Sequence, residues 1–236
     1  MSVRASIIIS LGFVIGLSLL ASLVGSTALK YRDKERTVVV KGLAEHEYPA
    51  DVVIWPISYQ AAGNEMDRLY LDLETNHRKV RRFLEESGIQ ESDITINVPV
   101  VLDKYADNYG NTNEIAFRFS ASQTVTVYST EIDLIREAMS LLSSLGRDGV
   151  PLTNNGYDNQ TQYIFSKLNS VKPEMIEEAI INARLVAEKF ALHSNSTLGK
   201  IRSANQGQFS IDDRDSNNPH IKKIRIVATI EYYLAD

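Results

Sequence analysis

Cysteine is absent from this chain of 236 residues. The chain therefore cannot build a disulfide framework, a thiolate nucleophile or a cysteine-ligated metal site. Histidine is scarce as well, and its positions show neither an HExxH motif nor a paired spacing. The four histidines are His46, His77, His193 and His220. We expect them to be structural, and we expect neither a metal nor a cofactor.

Motifs of catalysis are missing too. No glycine-rich phosphate loop leads from a strand into a helix, and neither a GxSxG motif nor a triad order is present. Neighbouring acids such as Glu85 and Glu86 point in different directions, unlike two carboxylates aimed at one bond. The stretch DRDSNN at 213–218 begins like a calcium-binding loop, but Asn218 replaces the loop glycine and Ile224 replaces the bidentate acid. We therefore predict that the protein is not an enzyme.

Positive charge is in deficit, because 25 Lys and Arg residues stand against 30 Asp and Glu residues and give a formal net charge of -5. A chain with this balance has no basic field that attracts phosphate backbones. Nucleic acid is therefore not expected as a partner. The hydrophobic share of 44% is typical of a globular chain that can bury a sizeable core.

Charged residues are also absent from positions 5–29. Residues 7–25 read IIISLGFVIGLSLLASLVG, which at about 1.5 Å per residue is long enough to cross a bilayer core. A signal-peptide core usually has only about 7 to 15 residues, so the length favours a retained anchor, although the small residues at 26–28 offer a cleavage site. We expect residues 1–30 to be a signal anchor or signal peptide and residues 31–236 to form a domain outside the cytoplasm.

Alternation of apolar and polar residues dominates from Thr37 on and predicts β-strands. One predicted strand face consists of Val53, Trp55, Ile57, Tyr59 and Ala61, and another of Ile94, Ile96, Val98, Val100 and Leu102. Such strands are typical of antiparallel sheets with one covered and one solvated face. Pro56 and Pro99 lie inside these runs and cannot donate a ladder hydrogen bond, so each is expected at an edge or a bulge.

Three stretches have helical periodicity instead: residues 65–87, 130–145 and 173–195. The apolar stripe of the first helix consists of Leu69, Leu73, Val80 and Leu84. The residues of the third helix expected to face inward are Ile176, Ile180, Ala183, Ala187 and Phe190. Because strands precede and follow the helices, we predict an α+β fold in which antiparallel sheets carry about three helices on one face, preceded by an N-terminal transmembrane helix.

Two segments rich in Asn, Asp and Gly fit neither period, at 103–114 and 205–220. They are predicted to be long loops between strands. Loops of this length are often functional, so a periplasmic module that binds a small molecule or an ion through both loops is an alternative to a structural domain. Tyrosine is enriched where a surface is partly apolar and partly wet, which makes four tyrosines candidate interface residues. They are Tyr105, Tyr109, Tyr232 and Tyr233.

Several stretches, taken in order, resemble the SIMPL-domain family. VVVKGLAEHEYPADVVIWPISYQAAGNE at 38–65 is similar to the family's opening strand, glycine, charged segment, Pro-x-Asp turn and long strand. FLEESGIQESDITINVPVVLDKY at 83–105 and FRFSASQTVTVYSTEIDLIREAM at 117–139 are similar to the strands and the second helix that follow. EEAIINARLVAEKFA at 177–191, LGKI and the closing strand IRIVATIEYYL complete a pattern that covers residues 37–234.

The resemblance implies a fold and a broad role. Bacterial members, including the periplasmic immunogenic proteins, are secreted or anchored in the cell envelope, have no established catalytic residues, are associated with stress tolerance, and in one branch assemble into ring-like or channel-like oligomers. The expectation is an envelope protein that forms homo-oligomers and is held at the inner membrane by residues 7–25, or is secreted to the periplasm if this segment is cleaved. Gly42, Pro49 and Asp51 are expected to form the turn that folds the first strand onto the second.

Overall fold

The protein is described from a computed structural model, which places part of the chain. The described residues are 13, 15–18, 20–22, 36–107, 116–153 and 159–235. Most of the predicted membrane segment at 7–25 therefore lies outside them, and its described positions are helical. No helix among the described residues is long and apolar enough to cross a membrane.

The described part of the chain alternates strands and helices. In chain order the elements are β1 (Thr37–Pro49), β2 (Val52–Gly63), α1 (Met66–Glu86), a short 3₁₀ helix (Glu91–Asp93), β3 (Ile94–Ile96), β4 (Val100–Asp103), α2 (Lys104–Asp107), β5 (Phe119–Ser129), α3 (Ile132–Leu141), α4 (Ser143–Arg147), β6 (Leu152–Thr153), β7 (Gln162–Ile164), α5 (Leu168–His193), β8 (Thr197–Gln206), β9 (Ser210–Asp213) and β10 (Ile221–Ala235). The helix predicted at 130–145 is thus two consecutive helices, α3 and α4.

Two compact units divide the chain. The first unit comprises the residues up to 46, residues 169–210 and the residues from 224 on, and the second unit comprises residues 47–168 and 211–223. Each unit combines helices with antiparallel strand pairs. The predicted α+β class is therefore confirmed.

The second unit is built on a six-stranded sheet. β2 and β5 pair antiparallel over nearly their whole length, from Val53 opposite Ser129 to Gly63 opposite Phe119. The neighbour order is β3-β5-β2-β6, while β4 also pairs with β5 and β7 with β2. Pro56, expected at an edge or a bulge, lies instead in the central strand β2, at a gap between its short partners β7 and β6. A residue without an N–H is tolerated where no second strand needs a donor.

The covered face of this sheet is the predicted one. Its inward residues are Val53, Trp55, Ile57, Tyr59 and Ala61, and all five are buried. They form one cluster with the predicted stripe of α1, which is Leu69, Leu73, Val80 and Leu84. Ile135 of α3 and Leu145 of α4 join the same cluster. These helices therefore cover one face of the sheet, as helices with a single apolar stripe do.

The predicted strand face at 94–102 is split in two. Ile96 of β3 lies opposite a buried residue of β5, whereas Val100 of β4 lies opposite a residue on the other side of the sheet. The residues between β3 and β4 belong to neither strand and include Pro99, which cannot donate to a ladder. The prediction of one continuous face was wrong for this reason, and Val98 and Val100 remain largely exposed.

The first unit contains α5 and most of a second, four-stranded sheet. The neighbour order is β1-β10-β8, β9 also pairs with β10, and β10 and β8 run antiparallel. Pro173 lies inside α5 rather than in its first turn, because the helix begins at Leu168. The buried residues of α5 recur every four positions and are Met175, Ala179, Ala183, Ala187 and Ala191.

The inner face of α5 differs from the predicted one. Ala183 and Ala187 are buried as predicted, whereas Ile180 and Phe190 are exposed. The cause is the close approach of α5 to Gly42 of β1, where a Cβ would stand 1.8 Å from the Ala179 carbonyl oxygen. Only small residues fit between a helix and a strand this near to each other, so the larger side chains of α5 point elsewhere.

Candidate functional site

Two of the predicted turn residues lie at the connection between β1 and β2. Pro49 ends β1, and Asp51 belongs to the two-residue link to β2. The Asp51 carboxylate accepts hydrogen bonds from the Ser166 N–H at 2.7 Å and from the Ser166 hydroxyl at 2.8 Å. Burial opposes ionisation of Asp51, but these bonds and the nearby Lys167 outweigh burial and lower its pKa. Asp51 therefore ties this turn to the chain that leads into α5.

Gly42, the third predicted turn residue, does not lie in a turn. It is a buried position in the middle of β1. A Cβ at Gly42 would be 2.4 Å from the Ala183 backbone nitrogen and 2.8 Å from the Ala183 Cβ. Atoms cannot approach so closely, and the absence of a side chain is what allows β1 and α5 to pack. The role of Gly42 is therefore packing.

The four candidate interface tyrosines differ in accessibility. Tyr232 is buried in the first unit, so its ring offers no surface to a partner. Tyr233 is exposed, and so is Tyr105, which has the Arg118 guanidinium 5.6 Å from its ring centre. Tyr109 lies outside the described residues. An interface role for the exposed tyrosines stays a prediction.

The segment predicted as a loop at 205–220 contains strand in part, because β8 extends to Gln206 and β9 spans Ser210–Asp213. Residues 207–209 and 214–220 lie outside strands. In the segment at 103–114, Asp103 ends β4 and residues 104–107 form α2. The remainder of that segment lies outside the described residues. In the part that the structure places, neither segment is a long open loop.

Two acids at the end of β9 and in the link to β10 already have partners. Lys222, which is buried, donates a hydrogen bond to Asp213. Asp215 accepts hydrogen bonds from the Arg214 guanidinium and the Asn218 amide, and these bonds hold its pKa at about 2. Among the residues that the structure describes, no group of three or more acidic or histidine side chains is placed to hold a metal ion.

The side of α5 opposite its alanine row carries large apolar side chains. Ile181, Leu185 and Leu192, here named the α5 outer face, are 51%, 52% and 73% exposed. Spacings of four and seven residues place them on one side of the helix. A helix that covers a sheet normally presents polar residues outward, so these three residues are an unusual surface.

Ion pairs accompany the α5 outer face. Glu178 lies 2.5 Å from the His46 ring nitrogen, and the Arg184 guanidinium donates to Glu188 at 2.9 Å. Both glutamates therefore have partners within their own chain. Exposed pairs of this kind add little stability.

A cleft of about 610 Å³ lies beside α1 in the second unit and is here named the α1 cleft. α1 lines it with Asp67, Tyr70, Glu74 and His77, and β5 contributes Gln123. The four helix residues recur at three- and four-residue steps and so lie on one side of α1. The volume is within the range of small-molecule sites, about 300–1,000 Å³.

Two residues of the α1 cleft belong to a hydrogen-bonded cluster. The buried Tyr59 hydroxyl donates to Gln123 Oε1 at 2.8 Å, and Gln123 Nε2 donates to the Asn97 carbonyl at 3.0 Å. Burial raises the pKa of Tyr59 to about 12. Burial and the Arg81 guanidinium lower the pKa of His77, whose Nδ1 lies 3.4 Å from the Tyr59 hydroxyl. At neutral pH both side chains are therefore uncharged hydrogen-bonding groups.

Sequence reasoning did not find the α1 cleft. Its residues come from separate stretches of the chain, and Asp67 and Glu74 read as part of the solvated side of a helix. One signal was available, because Tyr59 and Gln123 place polar groups in otherwise apolar inward rows of β2 and β5. Such groups are buried only with hydrogen-bond partners, and their partners are what the sequence does not show.

Comparison with known proteins adds a family to this geometry. A family model described as SIMPL, protein of unknown function (DUF541), matches residues 38–228. A search of curated proteins found no match. The matched span runs from β1 into β10, and it includes α1 and α5. The chain therefore belongs to the SIMPL family, whose function is described as unknown.

Proposed function

We propose that this protein is a non-catalytic envelope protein, anchored by residues 7–25 with its SIMPL domain outside the cytoplasm, and that the domain self-associates through the α5 outer face. The length and apolar character of residues 7–25 support the anchor. The observation that carries self-association is the exposure of Ile181, Leu185 and Leu192 on a helix whose other side is already packed.

A second copy of the chain fits this surface well. From Ile181 to Leu192 the apolar stripe is about 16 Å long at 1.5 Å per residue. When two such helices lie antiparallel, Ile181 of one copy meets Leu192 of the other, and Leu185 lies near the centre of both stripes. This arrangement is isologous, since each copy uses the same surface, and it closes as a dimer.

A lipid surface fits the α5 outer face less well than a second copy does. Between positions 174 and 192, α5 carries the acids Glu174, Glu177, Glu178 and Glu188 and the bases Arg184 and Lys189. A surface with more acids than bases is repelled by anionic lipids. Anchoring also confines the chains to two dimensions and raises their effective concentration, so a small interface is sufficient for association.

The test is energy transfer between donor-labelled and acceptor-labelled full-length chains in liposomes at fixed surface density. We expect transfer above the level of random encounters for the wild type and at least a fivefold loss of the excess for Leu185→Glu. An acidic side chain at the centre of an apolar contact must be desolvated without a partner. The matched control is Leu141→Glu on α3, because Leu141 is exposed to a similar extent, 54%, but belongs to the second unit.

Self-association through this surface is contradicted if Leu185→Glu keeps the excess transfer or if Leu141→Glu removes as much of it. Wild-type transfer at the random level contradicts it as well. Circular dichroism of both variants in detergent shows whether either substitution unfolds the chain, so loss of association and loss of structure can be told apart.

The envelope location has its own test. Expression of the full chain in a bacterial host, followed by separation of membranes from periplasm, should place a product of full-length mass in the membranes. A shorter product in the periplasm would show cleavage and remove the anchor from the proposal. A link to stress tolerance rests on the family resemblance, and a deletion strain with normal survival under envelope stress would contradict it.

A further inference from the structure

The α1 cleft offers apolar and polar surface side by side. Tyr70 and Leu71 of α1 are both exposed and both line it. His77 and Gln123 supply hydrogen-bonding groups, and the buried Tyr59 holds them in place. A site with this composition suits a small ligand that has an apolar body and one polar end.

The hydrogen bonds of the cluster decide which nitrogen of His77 accepts. The Tyr59 hydroxyl has a single proton, which it donates to Gln123. For the His77 Nδ1 to bond to the same hydroxyl, Nδ1 must carry the ring proton, and this leaves Nε2 as an acceptor. The Gln123 amide is fixed in its orientation because its nitrogen donates to the Asn97 carbonyl. His77 therefore favours a ligand that carries a hydrogen-bond donor.

The ionised side chains among the described residues that line the α1 cleft are both acids. Asp67 and Glu74 lie seven residues apart on α1, about 10 Å along the helix axis. Glu74 lies 3.5 Å from Arg78, an exposed pair that is weak in solution. The Tyr70 ring lies between the two acids in sequence and can face a cation.

We infer that the α1 cleft binds a small organic cation, with a primary ammonium group joined to an aromatic or aliphatic body. The ammonium group donates to acceptors on the walls of the cleft, while the body packs against Tyr70 and Leu71. An anion of the same shape is repelled by Asp67 and Glu74. This site lies in the second unit and uses no residue of the α5 outer face, so the inference does not depend on self-association.

The test is calorimetric titration of the full-length chain in detergent at neutral pH with three probes of similar shape: 2-phenylethylammonium, 2-phenylethanol and 3-phenylpropanoate. We expect saturable binding of the ammonium, binding of the alcohol at least about fivefold weaker, and no saturable binding of the carboxylate. Each probe also enters the micelles, but this background is the same for every variant and cancels when variants are compared.

Removal of the two carboxylates tests the charge preference. The double variant Asp67→Asn with Glu74→Gln should weaken binding of the ammonium probe about fivefold, since each exposed charge contributes modestly. The matched control is Asp72→Asn with Glu86→Gln, which removes two exposed acids of the same helix that do not line the α1 cleft. The control should bind the ammonium probe as the wild type does.

Removal of the aromatic ring tests the packing of the ligand body. Tyr70→Leu should weaken binding of the ammonium probe about threefold, because leucine keeps an apolar side chain but offers no ring face to a cation. The control Tyr128→Leu changes an exposed tyrosine that does not line the α1 cleft. It should leave the affinity unchanged.

The inference is overturned if none of the probes binds, if all three bind equally, or if a control variant weakens binding as much as its cleft counterpart. Any of these results leaves the energy-transfer test of the α5 outer face unaffected. Conversely, loss of self-association in Leu185→Glu should leave probe binding intact.

Discussion

Helix α1 in the second unit and helix α5 in the first unit both cover a sheet, but they do so with residues of different size. α1 turns four large apolar side chains inward, and these are Leu69, Leu73, Val80 and Leu84. α5 turns alanines inward, against a glycine of β1. Its large side chains Ile181, Leu185 and Leu192 are left on the outer side.

The size of its inward residues affects which side chains a helix leaves exposed. Small inward residues bring a helix close to its sheet and require little apolar bulk on that side. A helix that is rich in apolar residues on all sides then keeps apolar side chains on its outer side, where they are free to contact a second surface. Packing of this kind therefore leaves large apolar residues of α5 exposed, whereas α1 buries a row of large residues and exposes others, such as Tyr70 and Leu71.

The largest effect on stability is expected from Gly42→Val, which tests the close contact of the first unit. The new Cβ would stand 1.8 Å from the Ala179 carbonyl oxygen, a backbone atom that cannot move without α5. We expect the free energy of unfolding to fall by more than about 4 kcal/mol, measured by urea denaturation of the full chain with circular dichroism. Gly63→Val is the control, because its nearest atom is the Glu65 carbonyl oxygen at 3.9 Å. Equal losses of unfolding free energy in the two variants would show that the close contact at Gly42 is not what stabilises the first unit.

A slightly smaller loss is expected from Leu84→Ala, which tests the large-residue core of the second unit. Leu84 is fully buried, so its truncation leaves a cavity and should cost about 3–4 kcal/mol of unfolding free energy. Leu71→Ala on the same helix removes an exposed side chain and should cost less than about 0.5 kcal/mol. The same urea denaturation measures both, and a small loss in Leu84→Ala would show that this core is not packed as described.

Alkaline pH tests the polar cluster inside the second unit. Tyrosine in an unfolded chain ionises near pH 10, whereas burial raises the pKa of Tyr59 to about 12. Between these values only the unfolded state loses the proton, so this residue should reduce the unfolding free energy by roughly 2 kcal/mol as pH rises. Tyr59→Phe should lack this part of the pH dependence, measured by urea denaturation at a series of pH values. The exposed Tyr128→Phe should keep it, and identical curves for all three proteins would contradict the prediction.

The smallest effect is expected at acid pH from Asp51, which joins the turn after β1 to Ser166. Its pKa is lowered in the folded state, so its contribution is present above about pH 4, the range of unfolded aspartate, and disappears as pH falls through the lowered pKa. At neutral pH, Asp51→Asn should cost about 1 kcal/mol of unfolding free energy. The difference from the wild type should vanish in acid, and Asp212→Asn, at an exposed position of β9, should show none. A difference that persists in acid would exclude the carboxylate as its source.

The parts of the fold that sequence patterns predicted correctly depend on local periodicity. The inward row of β2 and the stripe of α1 were predicted residue by residue, because every second or every third to fourth residue is apolar there. The single face predicted at 94–102 was wrong because alternation alone does not register an extra residue. Pro99, expected at an edge or a bulge, does lie where the pairing with β5 gains one residue between Ile96 and Val100. The inner face of α5 was predicted only in part, with Ala183 and Ala187 correct, because large apolar residues lie on several sides of this helix and periodicity cannot rank them.

The candidate sites depend on contacts between distant positions. From the sequence, Gly42 is predicted to be a turn residue, and only the structure shows that Ala179 and Ala183 pack against it. From the sequence, Tyr59 is predicted to be an ordinary inward residue, and only the structure shows its hydrogen bonds to Gln123 and His77. The residues nearby in sequence do not show which distant residues take part in either contact.

By itself, the sequence determined the α+β class, the apolar segment at 7–25, the large-residue core of the second unit and the family, because each follows from patterns along the chain. Only the tertiary structure decided which side of α5 is buried, which acids are already paired, and where a cleft of ligand size opens. The physical reason is that burial and hydrogen bonding are settled by the nearest atoms in space, and in this protein those atoms come from residues far apart in the sequence.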